Sequence, residues 1–326
     1  SRGLGDVYKR QQVAIVAGSE KDPNINYTEY VQKHSVCDAK GSYTLAFDFL
    51  KPESIYTVYV LAYDENGLPT GLKSLTCSTG AVADDPFTVT TTHVGTTTLK
   101  YNVTAKDASV KYCTFATGYD YYQRWQLEEG TNGDVIKHFI SMWSTFASWY
   151  GENWQTMMKY DRREGTYEGD GNHLMWDARQ VVITFGMDDD GNLVTPIQVD
   201  SIHTNAPTPV DMDIPLTVLS NEWGDQQIKA APTTNTPYFI TMQPAAYVDL
   251  YKTDAALLRA LCYEADNINP TDLARTRDED LRDGLWEFRV RKDVDTDYYI
   301  IAVGLDEGAP ATRAFKTKIT VPGGSF

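Results

Sequence analysis

Three stretches decide the architecture of this chain: Tyr56–Gly67 (YTVYVLAYDENG), Gln180–Gly191 (QVVITFGMDDDG) and Tyr298–Gly308 (YYIIAVGLDEG). Each is a Val-, Ile- and Tyr-rich run that closes on an acidic turn containing Gly. The run reads as a strand, because β-branched and aromatic side chains fit a pleated surface. The turn supplies the positive-φ position that a hairpin needs. Asp64, Asp188 and Asp306 correspond, 124 and 118 residues apart. A period of about 120 residues is that of a domain repeat and is too long for a solenoid unit.

Working outward, a second strand follows each turn, at Leu72–Ser78, Thr195–Ile202 and Ala314–Val321. Another lies upstream, at Val13–Ala17, Val110–Ala116 and Tyr238–Met242. The second and third copies open with further strands: Phe87–Thr92 with Thr97–Ala105, and Ile214–Leu219 with Gln227–Ala231. The first copy lacks them. A sandwich strand normally alternates, with one face wet. These runs do not. In the third, Tyr298, Ile300 and Ala302 point one way, while Tyr299, Ile301, Val303 and Leu305 point the other. Both faces should therefore be covered, one by the sandwich core and the other by a helical insertion.

Helical spacing supplies that insertion in each copy. Tyr27, Tyr30, Val31 and His34 follow i, i+3, i+4, i+7. In the second copy Val135, Ile136, Phe139, Ile140, Trp143, Phe146 and Tyr150 form a wide apolar stripe, and in the third Tyr247, Leu250, Tyr251, Leu258, Leu261 and Cys262 do the same. Tyr43–Leu50 (YTLAFDFL) alternates as a strand. Ser78–Asp85 and Asn205–Pro209 read as short linkers.

Leu50–Ala62 (LKPESIYTVYVLA) resembles the fibronectin type III signature, with Leu50, Pro52 and Tyr56 at its tyrosine corner. The third copy keeps the Tyr (Tyr298) without Leu-x-Pro, and the second has Leu174 with Gln180 in place of the Tyr. The acidic Y-x-V-x-V-x-A-x-D-x-x-G ending also resembles modules of gut Bacteroidetes surface lipoproteins. The resemblance implies a mainly β fold: tandem Ig/fibronectin III-like β-sandwiches with α-helical insertions between the third and sixth strand equivalents. The expected modules are residues 12–82, 83–204 and 205–326. Ser1–Gln11 (SRGLGDVYKRQ) resembles a sequencing adapter translated in frame and is set aside from the fold. Module one is then truncated at its N-terminus and any export signal lies upstream.

Composition narrows function. The 326 residues are 42% hydrophobic and 23% charged, as in a globular chain. The net charge of −16 without a basic run argues against nucleic acid, which needs clustered Lys and Arg. No apolar run is long enough to span a membrane. The cysteines, Cys37, Cys77, Cys113 and Cys262, form no C-x-x-C pair. Cys113 and Cys262 read as buried core thiols; Cys37 and Cys77 share a module and could pair.

Candidate chemistry is sparse. His34, His93, His138, His173 and His203 are scattered without metal spacing. Asp188–Asn192 invites a calcium reading, but no Glu follows at the EF-hand position, and a hairpin turn explains it better. Glu164, Glu168 and Asp170 crowd what reads as a polar loop, and sequence neighbours seldom face each other across a cleft as glycosidase carboxylates must. No catalytic residue, cofactor or metal is expected. The richest segment is Tyr119–Trp176, with Tyr121, Tyr122, Trp143 and Tyr150 among its aromatics. Most are needed as core. Trp125, Trp149 and Trp154 fall off the main stripe or in loops and, with Tyr160 and Tyr167, are the ligand-binding candidates, because aromatic rings are frequent binding hot spots. The expected function is a non-enzymatic spacer and recognition scaffold, secreted or on an outer surface as a lipoprotein, whose partner is an extracellular glycan or protein. The alternatives are a glycan-binding protein using the module-two aromatics and the stalk of a hydrolase encoded upstream.

Overall fold

The computed structural model describes residues 10–18, 25–40, 45, 47, 50, 53–64, 66–80, 85–127, 134–264 and 269–324. The chain forms two compact units: Ser1–Thr90 with Asn102–Gly169 and Val181–Ser201, and Thr91–Tyr101 with Asp170–Gln180 and Ile202–Phe326.

The first repeat runs β1 (Arg10–Ala17), α1 (Tyr27–His34), β2 (Cys37–Lys40), β3 (Ile55–Tyr63) and β4 (Pro69–Ser78). Its strands form one antiparallel sheet in the order β2-β1-β3-β4. Asn26 starts α1 by accepting hydrogen bonds from the Thr28 and Glu29 amides. The helix then lays Tyr27 and Val31 on Ala14, Tyr59 and Leu61, with Tyr27 stacked on Tyr59 at 4.4 Å.

The second repeat runs β5 (Phe87–Val94), β6 (Leu99–Ala105), β7 (Tyr112–Gly118), α2 (Tyr119–Leu127), α3 (Val135–Tyr150), α4 (Trp154–Asp161), β8 (Thr166–Gly171), β9 (Arg179–Gly186) and β10 (Gln198–His203). Its sheets are β5-β6-β8 and β10-β9-β7. The third runs β11 (Leu216–Glu222), β12 (Asp225–Ala230), β13 (Tyr238–Pro244), α5 (Ala245–Val248), α6 (Asp254–Arg259) with a π-helical turn at Ala260–Glu264, α7 (Pro270–Leu273), β14 (Leu285–Phe288), β15 (Thr296–Asp306), β16 (Ala309–Pro310) and β17 (Phe315–Val321). Its sheets are β11-β12-β14 and a four-stranded sheet in which β15 pairs with β13, β17 and short β16.

The second and third repeats share one connectivity. Strands one, two and four make one sheet; strand three and the final hairpin make the other. This is the Ig/fibronectin III-like sandwich order, with helices inserted after the third strand. The fold is therefore mainly β, with helical insertions after the third strand; in the third repeat, however, Leu250 and Tyr251 of the expected stripe lie in the turn between α5 and α6, and Leu250 is exposed rather than packed. The two apolar faces of β15 separate as expected. Tyr298, Ile300 and Ala302 join Ile228, Trp286 and Ile240 in the core between the sheets. Ile301, Val303 and Leu305 pack under Val248, Leu257, Leu258 and Leu261 of the insertion. In the second repeat Val181, Ile183 and Phe185 of β9 likewise lie under Ile136, Phe139 and Trp143.

Several expectations need correction or fall outside the described residues. Residues 166–171, read as part of a polar loop, form β8, whose Gly169 and Gly171 are buried. Short β14 was not foreseen: four residues between charged neighbours give no alternation to count. Most of Tyr43–Leu50 is not described, and Leu45, Phe47 and Leu50 are outside any strand. Ser1–Lys9 also lie outside the described residues, while Arg10 and Gln11 extend β1. Pro52 of the tyrosine corner is not described either; Tyr56 is buried. Cys77 is an exposed free thiol. Its strand, β4, and that of Cys37, β2, occupy opposite edges of the sheet. Three inter-strand spacings of about 4.8 Å separate them, roughly 14 Å, beyond the reach of a disulfide. Among the described residues no helix is long and apolar enough to cross a membrane.

Candidate functional site

The aromatic insertion of the second repeat is built around α3. Asp134 caps its start, accepting from the Ile136 amide, and Gly151 ends it in a left-handed conformation with its N–H on the Ala147 carbonyl. Ile136, Phe139, Trp143 and Ala147 form the buried line. Trp143, 1% exposed, also donates its indole N–H to Asp161 at 2.7 Å, which fixes α4 against α3.

The apolar stripe continues past the surface it covers. Phe146 and Tyr150, expected in the core, are 40% and 72% exposed. Tyr150 lies almost in line with Trp143, two turns on, so its exposure shows that the end of α3 overruns its support. Trp149 is 68% exposed and meets Phe146 edge-on at 5.2 Å. The last turn of α3 therefore presents three large aromatic side chains to solvent.

The five candidate residues separate into two groups. Trp149 and Tyr160 are exposed. Trp125, Trp154 and Tyr167 are partly buried by neighbours. Trp125 stacks on His138 at 4.2 Å, and Trp154 lies parallel to Trp143 at 6.2 Å. Tyr167 sits beneath the Arg163 guanidinium, 4.7 Å from its ring centre. Trp125 and Trp154 were expected off the packed stripe, yet both pack against the insertion's core, because α2 and α4 fold over the same sheet face.

The carboxylates have local work. Glu164 pairs with Lys111 at 2.8 Å, and Asp170 accepts from Asn172. Asp188 builds the hairpin turn, accepting from the Asp190 and Asn192 amides and the Asn192 side chain. These bonds hold its carboxyl below the usual range. Asp189 pairs with Arg162, which lowers it too. Among the described residues no group of three or more His, Cys, Asp or Glu side chains could hold a metal ion. Burial pushes the Cys113 and Cys262 thiols up to about 12, so both are protonated at neutral pH; Cys113 is a core group, whereas Cys262, expected in the core, is only partly buried at its edge.

No family model matches the sequence, and no curated protein matches it. Among solved structures, the chicken CNTN1 FN1-FN3 domains align over 98% of this chain and 91% of theirs, at 14% identity and a TM-score of 0.23. The central fibronectin-III array of RIM-binding protein aligns over 72% of this chain and 73% of its own, at 8% identity and a TM-score of 0.21. At these scores neither likeness carries a structural argument, and the sandwich assignment rests on the strand order of the second and third repeats.

Proposed function

We propose that the chain is a non-enzymatic recognition scaffold of a secreted or outer-surface protein, organised as modules 12–82, 83–204 and 205–326. The observation that carries the reading is the exposed aromatic end of α3, where Phe146, Trp149 and Tyr150 stand clear of the core. Exposed clusters of large apolar side chains are uncommon on surfaces with no partner. Tyr and Trp are enriched among residues that dominate binding energy. The net charge of −16 favours a partner that is neutral or basic.

The glycan alternative uses the same residues, with Tyr160 as a further exposed ring. Affinity electrophoresis through gels containing laminarin, xylan or galactomannan separates the readings. Retardation that W149A with Y150A removes, while the melting temperature holds, supports glycan recognition by α3. No retardation in any gel sinks that alternative and leaves a protein partner, sought by crosslinking at position 149. Loss of the fold in the variant would show that these side chains are structural and would contradict the proposal.

A further inference from the structure

A groove of about 480 Å³ lies within the second compact unit, between the 173–177 loop, the first turn of α6 and residues 310–312. That volume is within the range of small-molecule sites, about 300–1,000 Å³. Trp176 lines it, with Ala255, Ala256 and Pro310 as small apolar surfaces, and Asp254 and Arg259 among its polar groups.

The loop that carries Trp176 is held from several directions. The Met175 carbonyl accepts from Gln180 Nε2 at 2.8 Å and from Thr204 Oγ1 at 2.6 Å. The Leu174 amide donates to the Thr97 carbonyl, and Leu174 is buried. Asn269 Nδ2 lies 3.2 Å from His173 Nε2, and His203 Nε2 lies 3.2 Å from the Asp177 carboxylate. His173 and Asp177, on either side of Trp176, have φ of +56° and +46°. Non-glycine residues persist in that region when their surroundings over-determine them, and such positions cluster at ligand clamps.

The groove's charges are already matched. Asp254 pairs with Lys316 at 2.7 Å and accepts from the Ala314 amide; Arg259 pairs with Glu264 at 2.9 Å. An incoming ion would have no unmatched opposite charge to meet there. A neutral ligand with hydroxyls can still use the second lone pairs of the Asp254 oxygens, while its C–H surface covers the indole. We propose that this groove is a binding site for a neutral sugar ring, with Trp176 as the stacking surface and Asp254 as a hydroxyl acceptor. No α3 residue lines it, and the proposal does not rest on the α3 face.

The test is isothermal titration of the full chain with maltohexaose, cellohexaose and mannohexaose. We expect saturable binding of at least one, weakened tenfold or more by W176A and by A256W, and unchanged by W149A. Ala256 is exposed, so its replacement fills the groove while Trp176 keeps its place; if W176A fails to fold, A256W decides. Absence of binding to all three sugars overturns the proposal. So does binding that survives A256W, binding lost with W149A, or tighter binding of hexagalacturonate or chitosan hexamer than of every neutral sugar.

Discussion

At the scale of single residues, equivalent positions in the repeats do different work. Gly67 and Gly191 both end the repeated strand-and-turn, with φ of +77° and +90°. A Cβ on Gly67 would meet open space, whereas one on Gly191 would fall inside the Trp154 indole. G67A should therefore cost only the left-handed conformation, about 1 kcal/mol. G191A should add overpacking, for roughly 3 kcal/mol in all. Urea denaturation of the two variants checks the order. The thiols give a second prediction. With burial raising Cys113 and Cys262 to about 12, both thiols stay protonated at pH 8. Residue-resolved alkylation of the native protein should label exposed Cys77 promptly, partly buried Cys262 more slowly and buried Cys113 only on unfolding. Their folded pKa values lie above the unfolded ones, so their contribution to stability is intact below about pH 9 and is lost as pH rises towards 12. A denaturation series from pH 8 to 11 reads that slope.

At the scale of elements, α3 tests the division between core and surface. Trp143→Ala removes the largest buried side chain of the insertion and its bond to Asp161, and should cost roughly 3–5 kcal/mol. Trp149→Ala should change stability by no more than about 0.5 kcal/mol. Chemical denaturation of the pair measures both. The helix bounds were legible because the stripe from Val135 to Tyr150 is long and periodic. What periodicity cannot show is where a covered surface stops, so Phe146 and Tyr150 read as core although they are exposed. The strands with two apolar faces were legible for the converse reason: Tyr298 and Tyr299 and their successors leave no wet side. β8 was hidden by Gly169 and Gly171, whose burial leaves no apolar side chain to signal a strand. The corner of the second repeat was hidden by chemistry. Gln180 stands where the first repeat has Tyr56, and its buried amide donates to the Met175 and Ala178 carbonyls, tying β9 back to the preceding turn. The Trp176 groove depends on distant segments meeting, and nothing local announces it.

At the scale of the whole molecule, the account rests on helical insertions that are integral covers of the sheets rather than appendages. The ring contact of Phe139 with Phe185 at 5.4 Å, within a buried cluster that includes Trp143, and the buried cluster of Leu257, Leu261, Ile301 and Val303 tie each insertion to the central strand of its sheet. Amides in a cooperative unit exchange together, since they open only when the unit opens. Hydrogen–deuterium exchange of the intact chain therefore tests the central claim directly. The account predicts slow exchange in β9 and β15 and comparable protection in α3 and in the helical turns Asp254–Glu264. Exchange of these helices at the rate of exposed loops, while the strands stay protected, would contradict it.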